Sequence, residues 1–232
     1  MSPNSSESSQ PDVGVLIAAA GRGDRAGPGP VKQFRPIASV PMLLRAIRPF
    51  AQHRRVHRIV VALPAEEAAD PPPWLAELVG DRLRVIPGGD TRQQSVQRSL
   101  EALDPACPMV LVHDAARPFV TPSDIDAVLA AVDQNTGAIL AVPVSDTLKR
   151  ADENLHVTET VSRRDLWQAQ TPQGFPRALL ERAYRDAAPG ATDDATLIES
   201  CGGTVVLVPG HTSNIKVTTP EDFALAEVLA AR

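Results

Sequence analysis

Largely apolar runs, most of them stopped by a glycine, a proline or a charged turn, constrain this chain more than any other feature. Residues 13–20 run into Gly21, 56–63 into Pro64, 83–87 into a Gly-Gly pair, 109–113 into Asp114, and 138–144 form a further run. A strand with alternating apolar residues can face water on one side. A strand apolar at nearly every position cannot, and belongs in a parallel sheet covered on both faces. Helical spacing fills the intervals: 41–50, a short stretch at 74–79, 91–103 with Asp90 as its expected N-cap, and a helix opened by Thr121-Pro122 that runs to about 135–137. Helices are also expected near 176–188 and 194–201, a strand at 205–208 and a terminal helix after Pro220. Strands alternating with helices predict the α/β class, with a mostly parallel twisted sheet and right-handed crossovers.

One segment breaks the alternation. From Ser145 to Arg164 polar and apolar residues alternate around a turn at Ala151-Asp-Glu-Asn154, which predicts a β-hairpin inserted at about 145–166. An isolated hairpin is marginal in water, so it is expected to pack on something else, a second subunit for instance. Residues 1–11 are Ser-rich without an apolar run and read as a disordered tail, leaving 12–232 as a single domain. No stretch approaches the ~18 apolar residues of a membrane span. Cys107 and Cys201 lack any metal-ligand or redox spacing and read as free thiols of a cytoplasmic protein. The net charge of −5 argues against a general nucleic-acid binder.

The loops after the runs carry the chemistry. Ala19-Ala20-Gly21-Arg-Gly23-Asp-Arg25 is followed by Gly27-Pro-Gly-Pro and Lys32-Gln-Phe34. Gly21-x-Gly23-x-x-Ala26 satisfies a loose dinucleotide fingerprint, but the Gly-Pro-Gly-Pro run blocks the helix that the fingerprint requires, and no acid caps the second strand. It is not a P-loop either, because Gln33 follows Lys32. What remains is a glycine loop carrying Arg25 and Lys32, suited to cradling a polyphosphate; the plain alternative is a connection with exposed charges. In Pro87-Gly-Gly89-Asp90-Thr-Arg92, with Ser95 beyond, Asp90 and Ser95 can meet the edge of a base, or the segment is simply a helix cap. His113-Asp114-Ala115-Ala-Arg117-Pro118 puts a carboxylate and a guanidinium beyond a central strand, where α/β enzymes bind substrates, unless the two merely pair with each other. Among 23 basic residues only three are lysines, Lys32, Lys149 and Lys216, which points to sites needing a compact ammonium.

Taken with Asp146-Thr147-x-Lys, Leu166-Trp-x-x-Gln-Thr171-Pro-Gln173, Thr192-Asp-Asp194 and Asn214-Ile-Lys216-Val-Thr, these motifs resemble the 2-C-methyl-D-erythritol 4-phosphate cytidylyltransferase family of the non-mevalonate isoprenoid pathway, from Val13 to the C-terminus. The resemblance implies a Rossmann-like nucleotidyltransferase domain whose hairpin is a dimerisation arm. It implies Arg25 and Lys32 as stabilisers of the transition state on the α-phosphate, and Ala19, Ala20, Gly21, Gly89, Asp90 and Ser95 around the cytidine of CTP. Asp114, Ala115, Arg117, Thr147, Arg163, Thr171, Thr192 and Lys216 would hold the polyol phosphate, with Thr147 and Arg163 arriving from a partner's arm. Ala26 replaces a larger apolar residue, Val31 a proline, and Thr196 a serine, and the first two leave the loop's conformation open. Alternatives remain: a ribitol 5-phosphate cytidylyltransferase, a nucleotidyltransferase using another base, or a non-catalytic nucleotide-binding module. In the catalytic reading the nucleophile is a phosphate monoester, largely dianionic at neutral pH because its second pKa is ~6. It therefore needs no general base. It needs cations, supplied by the basic residues and by Mg²⁺ carried on the CTP phosphates.

Overall fold

In the computed structural model, residues 12–21, 30–187 and 190–231 are described. The N-terminal tail, Gly23, Arg25 and Ala26 lie outside them. The elements are β1 (Val13–Ala18), a 3₁₀ turn (Lys32–Phe34), β2 (Pro36–Ile37), β3 (Val40–Pro41), α1 (Met42–Ala51), β4 (Val56–Leu63), α2 (Ala65–Ala69), α3 (Pro73–Ala76), β5 (Leu83–Pro87), α4 (Arg92–Ala102), β6 (Met109–Asp114) and α5 (Pro122–Ala131). There follow β7 (Thr136–Pro143), β8 (Leu148–Ala151), β9 (Val157–Val161), β10 (Trp167–Pro176), α6 (Arg177–Arg185), α7 (Asp194–Ser200), β11 (Thr204–Pro209) and α8 (Pro220–Ala230).

Seven strands form one sheet in the order β11-β7-β10-β6-β1-β4-β5. The ladders are parallel except at β10, which is antiparallel to both β6 and β7. The α/β class with a mostly parallel sheet is as the apolar runs predict. Alternation along β1 shows why such runs are needed: Val13, Val15 and Ile17 pack in one core with Leu43, Ile47 and Phe50 of α1 and Ile125 and Val128 of α5. Leu16 faces the opposite core, with Val96 and Leu100 of α4, Leu179 and Leu180 of α6 and Ile198 of α7. Each such aliphatic side chain, fully buried, contributes ~1.5–3 kcal/mol, and with few aromatics the two cores rest on them.

The sequence reading misses several elements. β10 is a central strand hidden in a polar, proline-containing motif; its ladder to β7 breaks between Ala169 and Gln173, where Pro172 has no N–H to donate. α5 stops at Ala131, short of the expected end, and the next residues make a tight turn between Asp133 and Thr136 into β7. The 2-stranded β2–β3 ribbon and α2 are additional.

β7 and β10 are sheet neighbours, and everything between them projects as a separate β8–β9 ribbon. Its base is closed by Val144 N donating to Leu166 O at 3.0 Å. Most of 145–169 is exposed, including Leu155 at 85%.

Chain order reverses at β1: β4 and β5 follow on one side, and β6 returns on the other. The crevice beyond the carboxyl ends of β1 and β6 is thus the topological switch point of the sheet, where open α/β folds bind ligands.

Candidate active site

A cleft of about 410 Å³ opens at that switch point. Ala19, Ala20 and Gly21 leave β1 into it, Gly89, Asp90, Thr91, Arg92 and Ser95 enclose it from the β5–α4 turn, and Asp114 and Ala115 end β6 there. Lys32 and Gln33 of the 3₁₀ turn and Lys216, beyond β11, complete the wall.

The β5–α4 turn is held by close packing. A Cβ on Gly88 would lie 2.8 Å from Ser95 Oγ and would collide with the Ala20 methyl; one on Gly89 would collide with Gln94. Ser95 is buried and its hydroxyl is engaged with the loop itself, accepting from Gly89 N at 3.0 Å and donating to Thr91 O at 2.9 Å. The N-cap of α4 is Thr91 rather than the expected Asp90. Thr91 takes the extended cap conformation and accepts from Gln94 N, which leaves the Asp90 side chain on the cleft wall.

Asp114 is the electrostatic centre. It is only 7% exposed, yet Arg92 Nε donates to one oxygen at 2.9 Å and Lys216 Nζ to the other at 2.7 Å. Burial alone would raise its pKa; the two cations overcome burial and hold the carboxyl well below the usual range. Arg92 also sets Nη2 2.8 Å from Asp194 Oδ2, an ion contact that is not aligned as a hydrogen bond. Arg117 does not pair with Asp114. Its guanidinium donates to Asn214 O at 2.7 Å and Ala169 O at 3.2 Å, so it braces the segment before Lys216 against β10.

Behind Asp114 runs a relay of defined polarity. Asp114 N donates to Thr171 Oγ1, Thr171 donates to His113 Nδ1, and His113 Nε2 donates to Arg117 O. The carbonyl acceptor fixes Nε2–H as a donor, and in the neutral ring Nδ1 is left to accept from Thr171. Complete burial lowers its pKa to about 4. The unfolded chain, with an ordinary His value near 6.5, therefore binds the extra proton between these values. Stability from this group is complete above about pH 6.5 and drains away as pH falls through about 4. Thermal melts of the wild type are expected to drop across that window, and those of His113→Gln to drop less; equal slopes would remove His113 as the cause.

Lys32 is set by its own turn. Gln33 donates from its buried side chain to Ala19 O at 2.6 Å, and Phe34 meets Trp74 edge-on at 5.8 Å between ring centres. Val31, where a proline is usual, sits at φ −46° and ψ 127°, near the φ that a proline ring imposes, and the turn forms without it. Lys32 Nζ donates to Val217 O at 3.0 Å, so its ammonium lies beside the loop carrying Lys216.

The whole constellation can be compared with known proteins. The family model of 2-C-methyl-D-erythritol 4-phosphate cytidylyltransferase matches residues 13–232. The chain belongs to this family. A 2-C-methyl-D-erythritol 4-phosphate cytidylyltransferase of Streptomyces coelicolor is 44% identical over 228 residues, 94% of this chain and 84% of that one. One of Salinibacter ruber is 45% identical over 221 residues, covering 94% and 92%. The crystal structure of the Thermus thermophilus cytidylyltransferase superposes with a TM-score of 0.79 at 36% identity, covering 95% of this chain and 100% of that one.

Of the residues that the cytidylyltransferase resemblance singles out, Ala19, Ala20, Gly21, Lys32, Gly89, Asp90, Ser95, Asp114, Ala115 and Lys216 meet in the cleft. Thr171 and Arg117 stand behind it as braces. Thr192 is exposed ahead of α7, whose cap Asp193 holds Thr196 through both its N–H and its hydroxyl, so threonine serves where serine is usual. Thr147 and Arg163 are exposed on the base of the ribbon and do not line this chain's cleft. Arg25 lies outside the described residues. Sequence reasoning passed over Arg92, although the Gly-Gly-x-x-Arg motif contains it, and also Asp194, buried beneath it.

Proposed function

We infer that this chain joins CTP to 2-C-methyl-D-erythritol 4-phosphate, giving 4-diphosphocytidyl-2-C-methyl-D-erythritol and pyrophosphate, a step in isoprenoid precursor biosynthesis. The observation that carries this reading is the family match across the entire fold, together with two of its three lysines and Asp114 at one switch-point cleft. A phosphate oxygen of the polyol phosphate attacks the α-phosphorus of CTP as the bond to the β-phosphate breaks. The Gly89–Ser95 turn and the Ala19–Gly21 backbone receive the cytidine, and Lys32 with Arg25 meets the charge growing on the α-phosphate. Lys216 and Asp114 take the phosphate and hydroxyls of the acceptor. No proton need be removed, which accords with a neutral His113 committed to the relay behind the site. Fixed cations in a partly desolvated cleft are then the main source of rate.

The divalent ion enters in this reading as part of the CTP substrate. Among the described residues no cluster of three potential ligands is present, and Asp114, one of two carboxylates on the cleft wall, has both oxygens engaged by Arg92 and Lys216. Bound on the phosphates, Mg²⁺ would neutralise the triphosphate and favour pyrophosphate departure.

The reading includes one nucleotidyltransferase domain from residue 12 onward and a homodimer held by the 145–166 arm. A two-stranded ribbon exposing Leu155 and Val157, with Trp167 exposed beside its base at the start of β10, has little to stabilise it alone, which supports a second copy as its partner. In that dimer the partner's Arg163 and the partner's Thr147 would reach the acceptor phosphate. Among the described residues no helix is long and apolar enough to cross a membrane, and both cysteines are free thiols; these support action in the cytoplasm.

Pyrophosphate release tests the assignment. With MgCTP, methylerythritol 4-phosphate is expected to give a kcat/KM at least ~10-fold above ribitol 5-phosphate, a difference of only ~1.4 kcal/mol in transition-state binding. Chelating the metal should abolish turnover of both. Equal or reversed specificity would overturn the assignment.

A further inference from the structure

Asp114 holds two cations of unlike mobility. Arg92 is the first residue of α4 and is anchored twice, on Asp114 at 2.9 Å and against Asp194 at 2.8 Å. Asp194 itself is 0% exposed, and its other oxygen accepts from Tyr184 Oη at 2.5 Å. Lys216 stands on a loop, its side chain is 45% exposed, and the bond to Asp114 is the ion pair that holds it. If Lys216 turned to an incoming phosphate with no other cation on Asp114, a buried carboxylate would be stranded without a partner, and desolvation would oppose the move.

We propose that Arg92 is the resident counter-ion of Asp114, a positioning residue that lets Lys216 exchange the carboxylate for the phosphate of the acceptor. With Arg92 in place, Asp114 stays paired through one oxygen whichever partner Lys216 has. Without it, Asp114 keeps Lys216 for itself and the acceptor phosphate must compete for the ammonium. The inference deepens the proposed reaction and rests on Lys216 meeting the acceptor. It assigns a different function to each of two cations that look equivalent on the carboxylate. It also explains why Arg92 is tied to the fully buried Asp194: the anchor keeps the guanidinium from following the substrate itself.

A double-mutant cycle decides it, using steady-state kinetics on the full-length enzyme with whichever polyol phosphate the wild type turns over. A wrong substrate assignment thus appears in the wild type alone and leaves the cycle intact. Arg92→Gln is expected to raise the KM for the polyol phosphate about 10-fold while the KM for CTP changes less than about 2-fold. In an Asp114→Asn background, where no carboxylate competes for Lys216, the same change should add less than about 2-fold, a coupling characteristic of direct contact. Equal rises in both KM values, or effects that simply multiply, would overturn the proposal. Should Arg92→Gln fail to fold because Asp194 is left unpaired, the double variant Arg92→Gln/Asp194→Asn takes its place, removing the cation from Asp114 without stranding a charge at position 194. The acceptor KM should still rise selectively; an unchanged acceptor KM would overturn the exchange.

Discussion

Lys32→Ala is expected to lower kcat by about 100- to 1000-fold, the loss that follows removal of one preorganised charge from a developing oxyanion. The KM for CTP should move far less, because an ammonium poised for charge that grows at the α-phosphate binds the transition state more tightly than the ground state. The geometry makes the experiment clean. The turn is braced by Gln33 on Ala19 O and by Phe34 on Trp74, neither of which needs the ammonium, so truncating Lys32 leaves the wall of the cleft standing. The ammonium's bond to Val217 O is lost with it. Single-turnover measurements at saturating CTP separate the chemical step from product release. A variant with normal kcat and a raised KM would make Lys32 a ground-state anchor.

A larger change is expected from mixing two dead enzymes. Lys32→Ala and Arg163→Ala should each be almost inactive alone if every site draws Lys32 from one chain and Arg163 from the other. After random exchange of subunits about half the dimers are mixed, and in each of these one site has both residues intact, so about a quarter of all sites regain activity by the geometry of a two-fold assembly. The placement of the two residues motivates the test. Lys32 lines the cleft, whereas Arg163 is exposed at the base of the ribbon and does not. Were Arg163 to serve its own chain, every site in every mixture would lack one residue, and exchange would recover nothing. Activity assayed before and after a cycle of mild dissociation distinguishes the outcomes without any knowledge of rate constants.

The parallel strands could be read in the sequence because burial on both faces leaves a local trace: Val56–Leu63 and Met109–Val112 are apolar with few interruptions. β10 left no such trace. Its Trp167-Gln-Ala-Gln-Thr-Pro-Gln stretch carries polar side chains that serve the site, and its pairing with β6 and β7 is set by contacts remote in sequence. In the same way Lys32, Asp114 and Lys216 could be marked as a group, since each follows a recognisable strand end or motif. The part played by Arg92 could not, because it depends on a buried Asp194 that helix spacing alone places on no particular partner. Residue type points to Asp90 as the cap of α4, and only backbone geometry reveals Thr91 in that place.

The base of the ribbon has a further consequence for how such a chain can vary. β7 and β10 are adjacent and antiparallel, and Val144 is tied to Leu166, so the arm is in topological terms an overgrown hairpin loop. Loop-closure entropy rises only with the logarithm of length, and extending a two-residue turn to roughly twenty residues costs about 2 kcal/mol. The sheet tolerates that once, whatever the sequence of the loop. Apart from Thr147 and Arg163, length and side chains there are thus free to drift with the surface they touch, while the paired strands on either side are not.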